Sequence, residues 1–208
     1  MDAAAQVIEV LRADLLRWQL LGVVRDLGLH DGWIGAGFVR NAIWDHLHGR
    51  VPSRPAGDVD VLWHDARRCD PAEDRRLEAT LHVMAPDILW SVKNQARMHH
   101  RNADPPYASV GEAMRYWPET ATAIAVRRIG EAACEVEAPF GLTDLMRLIL
   151  RPTPGFTGAK WPIYARRVRA KAWRTTWPLL QEADGDGQEK GAPLVERGAI
   201  VSREADAS

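Results

Sequence analysis

The fold of this chain is decided by Gly35-Ala36-Gly37-Phe38-Val39-Arg40, which Asp58-Val59-Asp60 follows about twenty residues later. A short apolar pair precedes the glycines, and residues 38–48 have helical spacing, so the glycines lie where a strand becomes a helix. At such a turn the backbone N–H groups are unpaired, and the helix dipole adds partial positive charge. Because glycine lets a phosphate approach closely, we predict that Gly35 and Gly37 bind phosphate. Arg40, about one turn into the helix, is predicted to reach the same anion.

The two aspartates begin an apolar, valine-containing segment that predicts a strand over residues 58–63. Alternate residues of a strand project from one face, so the carboxylates of Asp58 and Asp60 point the same way. They repel one another unless a cation lies between them, and Mg²⁺ takes one or two carboxylates together with substrate phosphates. Asp58 and Asp60 are therefore predicted Mg²⁺ ligands, suited to phosphoryl transfer. The same pattern also fits a turn followed by an exposed acidic face.

A dinucleotide-binding fold competes for the glycines, because the stretch nearly matches G-x-G-x-x-G. Arg40 replaces the third glycine, and the preceding strand is only two or three residues long. We expect this alternative, a nicotinamide-dependent oxidoreductase, to fail.

The remaining periodicity predicts an α+β protein in which a small mixed sheet is flanked by helices. We predict that residues 1–180 form one domain and that residues 181–208, rich in glycine and charge, form a disordered polar tail. Helices are predicted over 5–28, 71–84, 109–116, 143–150 and 164–177, and strands over 87–92, 120–128 and 134–138.

Composition excludes several classes of protein. The net charge of −1 gives no global reason to bind nucleic acid, and no apolar stretch approaches the roughly 18–20 residues of a membrane helix. Two cysteines without a signal peptide suit the cytoplasm. The basic segment 164–177 fits either a polyanion-binding surface or a solvated helix face whose tryptophans pack inward.

The glycine turn and the aspartate pair resemble the head domain of tRNA nucleotidyltransferases and poly(A) polymerases, which belong to the polymerase-beta-like nucleotidyltransferase superfamily. Segments 90–99, 117–122 and 138–145 further resemble a bacterial family of small nucleotidyltransferases, and the similarity covers roughly residues 5–180. The resemblance implies the superfamily's fold. It also implies transfer of a nucleotidyl group from a nucleoside triphosphate to an acceptor, which is unknown and is either RNA or a small molecule.

The resemblance also implies roles for individual residues. Gly35 and Gly37 bind the triphosphate, and Asp58 and Asp60 hold catalytic Mg²⁺. Arg40 matches the arginine that follows the glycine turn, whereas Asn41 replaces a usual acid.

Two further positions come from the polar run that follows the strand at 87–92. Asn94 and Arg97 are predicted to contact phosphate or base, although the same run also fits a solvated edge between a strand and a loop. The superfamily's third carboxylate lies on a neighbouring strand, and Glu119, Glu135 and Glu137 are its candidates. If none takes that role, the chain is a non-catalytic nucleotide-binding or regulatory module.

Overall fold

A mixed five-stranded sheet forms the centre of the protein in a computed structural model that describes residues 2–102 and 104–183. Its strand order is β3-β2-β1-β4-β5; β2 and β3 run parallel, and the other neighbours run antiparallel. The strands are β1 (Trp33–Gly35), β2 (Val59–Trp63), β3 (Trp90–Asn94), β4 (Ala125–Arg128) and β5 (Cys134–Glu137), with β6 (Ile149–Leu150) and β7 (Gln181–Glu182) forming a separate parallel pair.

Most helices pack on one face of this sheet. The α-helices are α1 (Ala3–Ala13), α2 (Leu15–Arg25), α3 (Gly37–Leu47), α4 (Pro71–Met84), α5 (Met98–Asn102), α6 (Val110–Met114), α7 (Thr143–Met146), α8 (Trp161–Lys171) and α9 (Trp173–Thr176). Short 3₁₀ turns cover Gln95–Arg97, Thr120–Thr122, Pro154–Phe156 and Gly158–Lys160.

Alternation along β2 separates the core from the site. Val59, Val61 and Trp63 are fully buried in the main core, which is filled mainly from α1 to α4. Asp60 and Leu62 point to the opposite face, where Leu62 joins a smaller cluster with Trp33 and α6. One face of the sheet thus holds the fold together, and the other face carries the acids.

The predicted N-terminal helix is two helices. Asp14 ends α1 with an extended backbone and caps α2, since its carboxylate accepts a hydrogen bond from the Arg17 amide at 3.0 Å. The buried Arg17 guanidinium pairs with the same carboxylate and donates to the Phe38 carbonyl at 3.0 Å. A buried ion pair therefore fixes the break, which hydrophobic spacing alone could not show.

Three predicted elements in the C-terminal half are shorter than expected. Residues 120–122 form a turn rather than strand, because the Thr122 hydroxyl bonds back to the Glu119 carboxylate at 3.0 Å. The helix predicted over 143–150 ends at Met146, and Leu148 takes a positive φ of 59°. The helix predicted over 164–177 begins at Trp161 and breaks at Ala172, whose φ is 46°.

Of the tail predicted over 181–208, the structure describes residues 181–183, and Gln181 and Glu182 form β7 rather than a disordered segment. Residues 184–208 lie outside the described residues. None of the helices in the described part of the chain is both long and apolar enough to cross a membrane.

Candidate active site

Asp58 comes directly before β2 and is exposed, and Asp60 is the second residue of β2 and is partly buried. Asp60 pairs with Ser91 of β3, and the Ser91 side chain hydrogen-bonds its carboxylate. On the other side the β1 register brings Gly35 opposite Asp60. The structure thus brings together the two motifs that the sequence singled out.

Burial raises the pKa of Asp60 to about 6, and repulsion from Asp58 contributes in the same direction. Arg40, Lys93 and the bond from Ser91 oppose this shift. Because the ionised form of Asp60 is costly here, a cation bound beside its carboxylate would stabilise that form.

The glycine turn lies between β1 and α3, as predicted, and its backbone depends on Ala36 as well as on the glycines. The left-handed position belongs to Ala36, with φ 51° and ψ −123°, and the Ala36 amide donates to the Ile124 carbonyl at 2.9 Å. A Cβ on Gly35 would lie 2.8 Å from Cδ1 of Leu62 and 3.1 Å from the Ile124 carbonyl oxygen, so packing requires this glycine. Gly37 begins α3, whose first amides have no intrahelical partner. Phosphate binding by Gly35 and Gly37 stays a prediction.

Arg40 is buried next to the glycine turn, and its contact with phosphate stays a prediction. Its side chain is largely buried, with 7% of the residue exposed, and both Nε and Nη2 donate to Oδ1 of Asn41, at 3.1 and 2.8 Å. The guanidinium lies 5.0 Å from the Trp44 ring and 4.7 Å from the Trp173 ring. Burial lowers its pKa to about 10, although Glu119 and Asp60 stabilise its charge. Asn41, which departs from the superfamily pattern, serves as the acceptor for this arginine.

A pocket of about 240 Å³ opens beside Asp60, and its lining residues come from both halves of the chain. They are Ala36, Asp60, Leu62, Trp117, Pro118, Thr122 and Arg167. Sequence reasoning missed the last four. Trp117, Pro118 and Thr122 belong to a segment from which the sequence analysis singled out only Glu119. Arg167 is one of several cations on a basic helix, and nothing in the sequence shows which of them faces the site.

None of the three candidate carboxylates lies free beside the aspartate pair. Glu119 is fully buried and accepts hydrogen bonds from Nε of Arg167 at 2.8 Å and from Thr122 at 3.0 Å. Glu135 pairs with Arg127 at 2.6 Å. Glu137 pairs with Ala125 on β4, so three strand spacings, roughly 14 Å, separate it from Asp60. Within the described ranges, no cluster of three or more histidine, cysteine or acidic residues could hold a metal ion.

The structure engages Asn94 and Arg97 in contacts within the protein, and their contact with phosphate or base stays a prediction. Asn94 is only 1% exposed, and its amide donates to the carbonyls of Asp65 and Arg68, both at 2.9 Å. Arg97 pairs with Asp74 in the same region. Both lie at or beyond the far end of β3; Asn94 is three residues, roughly 10 Å, past the position that pairs with Asp60. A polar run after a strand can cap local backbone or face a ligand, and here it caps backbone.

An acid pair at the start of a strand, a glycine turn into a helix and a mixed sheet together define a nucleotidyltransferase-type head domain. The chain belongs to a nucleotidyltransferase family, since the model of the family described as "Nucleotidyltransferase" matches residues 22–181. This finding confirms both the resemblance and the predicted fold class.

Solved structures agree with this assignment. A protein whose NMR structure is described as revealing a CCA-adding enzyme head domain is 34% identical, with a TM-score of 0.73; the match covers 84% of this chain and 94% of that one. A CCA-adding enzyme with CTP (11% identity, TM-score 0.54) and the Thermotoga maritima CCA-adding enzyme with a tRNA (12%, 0.53) each match 87% of this chain. They share only the fold, and the match covers 43% and 42% of their lengths. No curated protein matches the chain.

Proposed function

We propose that this protein is a metal-dependent nucleotidyltransferase that transfers a nucleotidyl group from a nucleoside triphosphate to a hydroxyl of an acceptor. The observation that carries the proposal is the position of Asp60 on β2, within electrostatic reach of Asp58 and beside a pocket that Ala36, in the turn into α3, also lines. Membership of the family and a neighbour described as a CCA-adding enzyme head domain support it.

The donor atoms at this position fit Mg²⁺. Asp58 and Asp60 offer carboxylate oxygens, and the Ser91 hydroxyl touches the Asp60 carboxylate. Mg²⁺ usually takes few protein ligands and completes its shell with water and substrate phosphates, so a pair of acids suffices. When bound, the ion would neutralise charge that develops on the transferring phosphoryl group.

The chain's own residues would then bind and orient the substrate. The backbone amides at the start of α3, near Gly37, and the positive end of that helix's dipole would together favour a phosphate. Leu62, Trp117 and Pro118 form apolar walls of the pocket. In the transfer, the acceptor oxygen forms a bond to the α-phosphorus, and the bond from that phosphorus to the bridging oxygen breaks. Pyrophosphate leaves with that electron pair, and the acceptor proton passes to solvent.

A second function, a nucleotide-binding module without transfer, is favoured by one observation. Glu119 is the candidate third acid closest to the pocket, and it is fully buried and paired with Arg167, so it is not positioned as a free base. Such a module would bind Mg²⁺–nucleotide and release no pyrophosphate with any acceptor.

Nucleotides labelled at the α-phosphate, incubated with Mg²⁺ and a cell extract, distinguish the two functions. The enzyme transfers label to an acceptor and releases pyrophosphate, whereas the module only binds. Asp60→Asn and Asp58→Asn should both abolish Mg²⁺-dependent nucleotide binding. Glu131→Gln, which alters an acid that is 87% exposed at the other end of the sheet, is the matched control. If Asp60→Asn binds Mg²⁺–nucleotide as tightly as the wild type, the site assignment is wrong.

A further inference from the structure

We propose that Arg167 is a phosphate-binding residue of this pocket and that Glu119 is the residue that positions it. The inference rests on the proposed function, since it assigns a contact to the triphosphate of the same substrate. Its starting observation is that Arg167, from α8, lines the pocket together with Asp60, although the two are more than one hundred residues apart in sequence.

The Arg167 guanidinium is hydrogen-bonded through Nε, and its side chain is partly exposed. Its Nε donates to Oε1 of Glu119 at 2.8 Å, and Glu119 is 0% exposed. Among the described residues, the terminal nitrogens of Arg167 make no hydrogen bond, and the side chain is 38% exposed. A guanidinium anchored through Nε keeps two amino groups in a planar fork, and this geometry matches two oxygens of a phosphate.

The other cations near Asp60 are already engaged. Arg40 is bound to Asn41 and enclosed by two indole rings. Lys93 donates to Glu78 and to the Val92 carbonyl, both at 2.9 Å. Of the described residues that line the pocket, Arg167 is the one that carries a positive charge.

Two aromatic contacts dock α9 and the residue after it on α3, and a contact between the Trp173 ring and Arg167 joins α9 to α8. Trp173 and Trp177 pack edge-on against Trp44 of α3, with ring centroids 5.8 and 5.1 Å apart. The Trp173 ring also lies 5.8 Å from the Arg167 guanidinium. The C-terminal end of the basic segment 164–177 therefore packs on α3 through its tryptophans, and one arginine of the segment lines the pocket while Arg166 and Arg169 stay exposed.

The charges form an alternating series that explains the role of Glu119. Asp60 and Glu119 both stabilise the buried charge of Arg40, and Glu119 also pairs with Arg167. Without Glu119, the two arginines would repel one another across the floor of the pocket, and the fork of Arg167 would lose its anchor. Glu119 thus acts through Arg167 and is not itself in contact with substrate.

Titration calorimetry with three probes tests the assignment: Mg²⁺–ATP, Mg²⁺–tripolyphosphate and adenosine. Arg167→Gln should weaken the binding of both phosphate probes about 10- to 100-fold and leave adenosine unchanged, since a charge-assisted bidentate contact is lost. Arg167→Lys, which keeps the charge but not the fork, should recover part of that affinity. Arg169→Gln on the exposed side of α8 is the matched control and should change neither phosphate affinity by more than about twofold, the effect expected of a screened surface charge.

A double-mutant cycle tests the positioning residue. Glu119→Gln should weaken tripolyphosphate binding less than Arg167→Gln does, and it should add almost nothing in the Arg167→Gln background. Arg167→Gln leaves the buried Glu119 carboxylate without its partner, and the double variant removes that carboxylate as well. If Arg167→Gln alone fails to fold, the phosphate affinity of the double variant is measured in its place.

The outcomes separate this inference from the proposed function. Tripolyphosphate binding that depends on Arg167, without any nucleotidyl transfer, supports the inference and refutes the function. Transfer that continues with unchanged phosphate affinity in Arg167→Gln refutes the inference alone, as do equal losses in Arg167→Gln and Arg169→Gln. A wild-type protein that binds neither phosphate probe refutes both.

Discussion

Replacing Asp60 by asparagine should stabilise the metal-free protein, because the native state pays to keep this carboxylate ionised. Burial and the neighbouring Asp58 raise the pKa of Asp60 from 3.8 to about 6. A shift of about two pKa units corresponds to roughly 3 kcal/mol at a pH well above 6. Asp60 keeps part of its surface in water, so we expect a gain of about 1–2 kcal/mol in the free energy of unfolding.

The pH dependence gives the sign of the effect. The folded protein binds the Asp60 proton more tightly than the unfolded chain, so the stability that this proton provides is complete below pH 3.8 and is lost as the pH rises through about 6. The advantage of Asp60→Asn over the wild type should therefore be largest at pH 8 and shrink by about half at pH 5.

Urea denaturation followed by tryptophan fluorescence in EDTA measures both values, since several tryptophans are buried. Asp58→Asn should give a smaller gain, because it removes only the repulsion. Adding Mg²⁺ should raise the stability of the wild type and not that of Asp60→Asn. An Asp60→Asn variant that is less stable than the wild type at pH 8 would refute the reasoning.

Three further predictions concern the glycine turn, the far end of β3 and the cysteines. Ala36→Gly should stabilise the fold by about 1 kcal/mol in thermal or urea unfolding, because Ala36 has a backbone conformation that glycine adopts without strain. Asn94→Ala should lower the free energy of unfolding by about 1–3 kcal/mol and leave nucleotide affinity in the folded protein unchanged; a selective loss of affinity would restore Asn94 to the site. Cys69, which is exposed, should react with iodoacetamide at pH 8, whereas burial raises the pKa of Cys134 to about 11 and should leave it unmodified in the native protein, as mass spectrometry of digested samples would show.

The site's framework could be predicted from the sequence because its signals are local. Alternation over Asp58-Val59-Asp60 sets both carboxylates on one face in any sheet, and a glycine turn before an apolar helix begins that helix wherever it packs. Local signals also placed α4 correctly, since Pro71 and the acids Glu73 and Asp74 mark its first turn. These features depend on residues within a few positions of one another.

The features that could not be predicted depend on contacts between distant segments. Gly35 is required by Leu62 and the Ile124 backbone, and this requirement appears only when β1 and its neighbours pair. Asn94 has the residue type of a ligand contact, yet it is saturated by the loop that follows β2. Both residues were predicted to contact substrate, but their contacts in the structure arise from tertiary packing.

Arg40 and Arg167 show the same limit with a functional consequence. From the sequence, Arg40 lies one turn into α3, close to the predicted phosphate position. In the structure, Asn41 and the tryptophans of α3 and α9 enclose it. That enclosure exists because α9 packs on α3, and the same packing places Arg167 at the pocket. The packing that buries the Arg40 guanidinium thus also brings Arg167 to the pocket, and Glu119 pairs with Arg167 and stabilises the charge of Arg40. This arrangement explains why Glu119 cannot become a free base without cost: exposing it to an acceptor hydroxyl would leave two buried or half-buried arginines without their shared counter-charge. Pyrophosphate release by the wild type would therefore mean that the acceptor hydroxyl loses its proton without Glu119.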